Sequence, residues 1–198
     1  MNRFIIEKTP QACAQSQCDK HIPKMYVEEA QMLCTVHRLL DGQLTMVPAL
    51  DKQGNQVFLK DGSRRMKKHW RLPDEREDVL YKAAHMKHPC TLWAMETAGN
   101  YEWAYQMFLY LGIEYNYRYG KSHKTDMLDG WIAYPPSNIN PSQEITPMPL
   151  AMGANPECMD PQDVIGSYRK FYQTKQHRFK MNWTKRPVPE WFQWSLGY

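Results

Sequence analysis

The chain has 198 residues, 42% hydrophobic and 23% charged, with a formal net charge of +4. These are the proportions of a soluble globular protein long enough to bury a core without covalent staples. Five scattered cysteines, Cys13, Cys18, Cys34, Cys90 and Cys158, argue against a disulfide framework. With no charged-then-apolar leader and no long apolar run, secretion and membrane spanning are set aside and a cytoplasmic setting is expected.

The first helix is expected to run from near Asp19, a capping residue, to about Leu40. Pro23 is tolerated in its first turn, where amides lack intrahelical partners, and Asp41-Gly42 stops it. QLTMVPALDKQGNQVFLKDG (43–62) carries short β-favouring runs around a Gly-Asn turn, which predicts a small hairpin or flap. The basic run RRMKKHWR (64–71) follows. DEREDVLYKAAHMK (74–87) reads as a second helix ended by His88-Pro89, after which Thr91 caps LWAMETA. Asn100 caps the longest apolar-periodic stretch, YEWAYQMFLYLGIEYNYRY, which ends at Gly120. A short helix is expected within 122–133. Seven prolines from Pro135 to Pro161 predict an extended, irregular wrap over the surface. DPQD (160–163) sets a helix start, with Asp160 at the cap and Pro161 at the first helical position.

The expected fold is therefore mainly α: a single-domain helical bundle with a small β-hairpin or flap and a long proline-rich surface loop. Its segments are the first helix (19–40), a hairpin and basic flap (41–73), a helical core (74–133), the proline-rich loop (134–160) and a basic aromatic C-terminal segment (161–198).

Charge is concentrated in two places. Arg64, Arg65, Lys67, Lys68 and Arg71 stand together with no acid among them. From Tyr168 to Pro187 the chain holds seven Lys or Arg, including Arg169, Lys170, Lys175 and Arg178, with five aromatic residues and no Asp or Glu. Cations interleaved with flat rings suit a phosphate backbone with bases nearby; a solvated basic surface has the same composition. The cluster YNYRYGKSHK (115–124) places Arg118, Lys121, His123 and Lys124 around Gly120. It reads equally as a phosphate or base cradle and as a helix C-terminus whose cations complement its dipole.

The stretch CDKHIPKMYVEEAQML (18–33) carries the densest chemistry. At about 100° per residue, Met25, Met32, Val36 and Leu39 form an apolar face, and His21, Lys24, Glu28 and Gln31 form a polar column along its edge. Lys24 and Glu28 are i,i+4 neighbours. A partly desolvated lysine near a helix N-terminus is expected to lose proton affinity, and a carboxylate one turn away can move protons. The competing reading is a surface salt bridge beside a core histidine. No metal or cofactor is expected: the two Cys-x2-His pairs of one straight helix cannot close a tetrahedral site, although Cys18 and His21 with HMKHPC (85–90) remain an alternative. No Gly-rich nucleotide fingerprint, P-loop, HExxH or GxSxG occurs.

Taken in order, CDKHIPKMYVEEAQML, HPCTLW, NYEW, EYNYRYGKSHK and YRKFY resemble an uncharacterised family of tailed-phage proteins over most of the chain. A weaker resemblance is to the small all-α phage pyrimidine-dimer DNA glycosylases, which carry Asp-x-His near the start of the first long helix and a catalytic glutamate seven residues after the histidine. Asp19, His21 and Glu28 stand at that spacing. The resemblance implies that Glu28 is the acid/base residue and His21 a partner facing DNA or sugar. It departs where the family uses an N-terminal threonine α-amine: this sequence begins Met-Asn, Val27 precedes Glu28, and Gln31 lies one turn on. Lys24 is the expected substitute amine, with the chain's α-amine as the other choice. The expected activity is base excision from duplex DNA after base flipping, with Trp70, Trp93 or Trp103 filling the vacated stack. Two alternatives are a thymine-hypermodification transferase acting on DNA bases and a non-catalytic nucleic-acid-binding protein; a protein aimed at a host protein is a fourth reading.

Overall fold

In the computed structural model, residues 2–195 are described, so positions 196–198 of the C-terminal segment lie outside the described residues. The protein is mainly helical with one two-stranded antiparallel sheet among the described residues. The elements in chain order are α1 (Pro10–Ser16), α2 (His21–Asp41), β1 (Gln43–Pro48), β2 (Met66–Arg71), α3 (Arg76–Val79), α4 (Pro89–Glu96), α5 (Ala98–Tyr119), α6 (Asp129–Ile132) and α7 (Val164–Gln173). No helix of the described residues is long and apolar enough to cross a membrane.

Helices α2 and α5 form the centre, with α1 and α4 packed against α5 and α4 also against α2. Their shared face buries Ile22, Met25, Leu33 and Val36 from α2 and Tyr101, Ala104, Phe108 and Leu111 from α5. The two helices approach closely where Gly112 faces Tyr26: a Cβ at 112 would sit 2.8 Å from the tyrosine oxygen. α5 ends as its composition dictates, with Gly120 at φ 66° and its amide bonded to the Asn116 carbonyl.

Helix boundaries elsewhere differ from expectation, and in each case a tertiary partner is the reason. Asp19 does not cap α2; its carboxylate accepts from the Arg118 guanidinium (2.9 Å) and from Thr184 Oγ1 (2.8 Å) and N (2.9 Å). α1 has no counterpart among the expected elements. Its cap is Thr9, which accepts from Ala12 N. The helix expected over 74–87 shrinks to the single turn of α3. Arg38, fully buried on α2, takes the carbonyls of Glu77, Leu80 and Tyr81 and that of Trp70. Thr35 Oγ1 accepts from Ala84 N and donates to Ala84 O or Gln31 O. With these groups taken, the amide-to-carbonyl ladder of a helix cannot form, and His85 lies in the left-handed region at φ 51°.

The cap of α4 is His88, whose Nδ1 accepts from Cys90 N, and not Thr91, which is buried inside the helix. Thr97 and not Asn100 caps α5. Asn100 instead clamps the proline-rich stretch: its amide donates to Thr146 Oγ1 (2.7 Å) and its carbonyl accepts from Thr146 N (2.9 Å). Gly99 admits that stretch, since a Cβ there would meet the Gln143 carbonyl oxygen. Asp163 and not Asp160 caps α7, accepting from Gly166 N.

The hairpin forms with β1 and β2 in register from Gln43 against Arg71 to Pro48 against Met66. Six of the eight residues of the basic run are therefore β2 itself. Gly54 (φ 88°) and Gly62 (φ 82°) supply left-handed turns at the folded tip.

An ion pair anchors the N-terminal segment in this core. Arg3 and Glu29 have side chains about 1% exposed, with Nη2 to Oε2 at 2.7 Å and Nε 3.0 Å from both carboxylate oxygens. Breaking it by Glu29→Ala leaves a buried guanidinium without its counter-charge and is expected to cost about 3–5 kcal/mol. Urea unfolding of the variant measures this, and a loss below about 1 kcal/mol would contradict the account.

Candidate functional site

The ion pair holds residues 2–6, all buried, across the N-terminal half of α2. Asn2 N donates to Glu28 Oε2 at 2.9 Å, and Phe4 stacks on the His21 ring with centroids 5.0 Å apart. Tyr172 of α7 touches both of these rings, its hydroxyl 2.7 Å from His21 Nδ1 and its ring centroid 4.8 Å from that of Phe4, and Phe179 packs edge-on against the histidine at 5.3 Å. A cavity of about 210 Å³ opens here. His21, Lys24 and Glu28 line one side, and Phe171, Lys175 and Arg178 line another.

Within this wall the three residues expected to act have different environments. Glu28 is half-buried and faces the cavity. Lys24 reaches the rim but is 60% exposed, 3.8 Å from Glu28 Oε1. The desolvation expected for it is absent: it has the geometry of a solvated i,i+4 pair, worth a few tenths of a kcal/mol. His21 is buried and neutral. Burial, aided by the charges of Lys24, Lys175 and Lys20, pushes it down to about 3, so it serves as a hydrogen-bonding wall and not as a proton carrier near neutral pH.

Lys175 is the residue whose placement the sequence does not convey. It follows α7 in a 3-10 turn, Thr174–His177, only 9% exposed, with its Nζ 3.3 Å from the centroid of the Phe171 ring. Burial and the nearby Arg178 guanidinium pull its amine down to about 8. No periodic pattern in QTKQHR distinguishes it from the solvated cations around it.

A second cavity measures about 450 Å³. Tyr115 and Tyr119, 4.9 Å apart, line it together with Lys20, Lys121 and Lys180. Lys20 Nζ sits 4.6 Å over the ring of Phe179, which belongs to the first cavity, and so ties the two together. Around the two cavities Lys20, Lys24, Lys121, Arg178 and Lys180 are all exposed and form a basic rim, with Asp19 the acid among the residues of the second cavity.

The other cations expected to meet nucleic acid fall into distinct groups. Arg64, Arg65, Lys67, Lys68 and Arg71 are exposed on the hairpin, the last three beside a cavity of about 530 Å³ with Trp70. Lys124 and Lys170 are exposed. Arg118 is not available to a ligand: it is buried, with Nε 2.6 Å from Glu114 and Nη1 2.9 Å from Asp19, and Arg186 closes the network on Glu114. Arg169 is bonded to the Ile6 carbonyl and Glu7. His123 is a turn cap, accepting from Thr125 N. Trp93 and Trp103 are core residues, 2% and 8% exposed and edge-to-face with each other, so neither can enter a base stack. The five cysteines are free and buried, and burial pushes Cys13 and Cys34 up to about 12. Among the described residues no group of three or more His, Cys, Asp or Glu is placed to hold a metal ion.

His37, bonded to Tyr101 at 2.8 Å, is also buried and neutral; burial and Arg76 push it down to about 4. Both rings bind fewer protons in the native state than in the unfolded chain. The stability they contribute is complete above pH 6.5 and is lost as pH falls from 6.5 toward 4 and then 3. Each is expected to contribute a loss of about 2 kcal/mol between pH 6.5 and pH 5. Denaturant melts at the two pH values measure it, and equal midpoints would show that the rings are not buried neutral. No family model, curated protein or solved structure matches the chain.

Proposed function

We propose that the protein is a phage DNA-acting enzyme of the glycosylase type, a single-domain helical bundle that excises a damaged or modified base. The observation that carries the reading is the cavity where a half-buried carboxylate, Glu28, faces amines beneath a basic rim. Duplex DNA would lie across Lys20, Lys24, Lys121, Arg178 and Lys180, with the hairpin cations gripping neighbouring phosphates. Flipping a base costs a few kcal/mol and is cheapest at a weakened pair. An amine of the cavity then attacks the sugar C1′, and Glu28 manages the protons. Lys24 is the amine that sequence spacing nominates. The buried rings Phe4, His21 and Phe171 supply flat, water-poor walls for a sugar or base.

The exposed basic hairpin favours a second reading, binding without chemistry. Its cations and Trp70 flank the largest of the described cavities and suffice for a nucleic-acid contact. The transferase alternative needs the same flipped base and no imine.

Mass spectrometry of nucleosides after incubation with plain, damaged and modified duplexes tests the proposal. Release of a base from one duplex class is expected, with Glu28→Gln slowing it by about 10²–10⁴-fold. Removing charge at Arg64, Arg65, Lys67 and Lys68 together is expected to reduce the slope of log K against log salt by about three to four. Unaltered nucleosides across the panel would falsify both enzymatic readings, and an altered base that stays attached would favour the transferase.

A further inference from the structure

We propose that Lys175, held over the Phe171 ring in the turn after α7, is the amine nucleophile of the α2–α7 cavity, attacking the sugar C1′. This deepens, and rests on, the glycosylase reading.

An amine nucleophile must be unprotonated for part of the time, must reach a ligand, and must not be tied to a carboxylate. Lys24 is in water and beside Glu28. Lys175 is 9% exposed, lines the same cavity as Glu28, and has no carboxylate within ion-pair distance among the described residues. The charges acting on it most strongly are of its own sign, Lys24 from α2 and Arg178 just after its turn, and the Glu28 carboxylate shares the cavity without forming an ion pair with it. His21 in the same cavity wall is neutral, and Cys158, which also acts on Lys175, is a buried thiol. The Phe171 face at 3.3 Å favours the ammonium, yet burial outweighs it, and the amine is brought down to about 8. At neutral pH this leaves about two orders of magnitude more free base than an ordinary lysine has.

The step balances without any further reactant. The Nζ lone pair forms a bond to C1′ as the C1′–base bond breaks, and the base leaves with that electron pair and takes a proton through Glu28. Nζ then loses a proton, the C1′–O4′ bond opens with O4′ protonated, and a protonated imine results. Water hydrolyses it to the free amine and the sugar aldehyde. Nothing is oxidised or reduced.

An abasic-site duplex tests this without knowledge of the target base, because its aldehyde condenses directly with the amine. Borohydride reduces the imine to a stable secondary amine, and peptide mass mapping locates it. The expected result is a single adduct on Lys175, with a trapping rate that rises to a plateau around pH 8. Lys175→Ala and Lys175→Arg are each expected to lower the yield by at least about tenfold. The arginine variant keeps the charge, so its DNA affinity is expected to stay within about twofold of the parent. Lys24→Ala is expected to weaken duplex binding through its lost rim charge and to leave the adduct still mapped to Lys175. An adduct on Lys24 or on the first residues of the chain would overturn the assignment and leave the glycosylase reading standing. No adduct, together with no base release from the duplex panel, would overturn both. An undiminished adduct in Lys175→Arg would overturn the assignment alone.

Discussion

A guanidinium and a carboxylate removed together from water must satisfy each other fully, because either one alone is a buried charge. Arg3 and Glu29 meet that demand through three short contacts, and the Arg3 guanidinium also lies 5.3 Å from the Trp93 ring centroid. Their fixed geometry leaves the N-terminal segment no freedom to slide along α2. Asn2 is therefore placed against Glu28, and Phe4 against His21. The carboxylate of the candidate site and the rings behind it are positioned by this one buried pair.

Two further buried arginines organise what the helices leave irregular. Arg38 collects four backbone carbonyls and Glu77, and so holds the chain between β2 and α4 with only the single helical turn of α3. Burial opposes the Glu77 charge, but bonds from Arg38, Leu72 N, Lys82 and His69 hold its carboxyl far below the usual range. Arg118 joins Glu114, Asp19 and the Gln15 carbonyl, tying the end of α5 to the start of α2. In each case one flat, five-donor group replaces a run of regular hydrogen bonds.

These same residues mark where the sequence was legible. The mainly helical character, the extent of α2 to within about two residues, the stop at Gly120 and the hairpin follow from local periodicity and turn chemistry, which act over a few residues. The failed helix over 74–87 does not, because its donors and acceptors are claimed by Arg38 and Thr35 from 39 to 49 positions away. Asp19 and Arg118 misled for the same reason: a capping acid and a surface base by local criteria, they neutralise each other. At the site, the helical wheel brought Glu28 and His21 to the edge of the apolar face, where they stand. It had no means of finding Lys175, which reaches the cavity only because α7 folds back across α2.

The hairpin has a consequence of its own. It exposes Leu44, Met46, Leu50, Phe58, Leu59 and Met66 on a ribbon whose outer edges have no strand neighbour among the described residues. Such a ribbon invites copies of itself to add edge to edge. Arg64, Arg65, Lys67 and Lys68, all solvated on that ribbon, oppose such addition, because two copies laid edge to edge bring like charges together. Ionic strength sets how far that repulsion reaches, about 10 Å at 0.1 M and about 3 Å at 1 M. Concentrated salt thus lowers the electrostatic barrier to ribbon stacking.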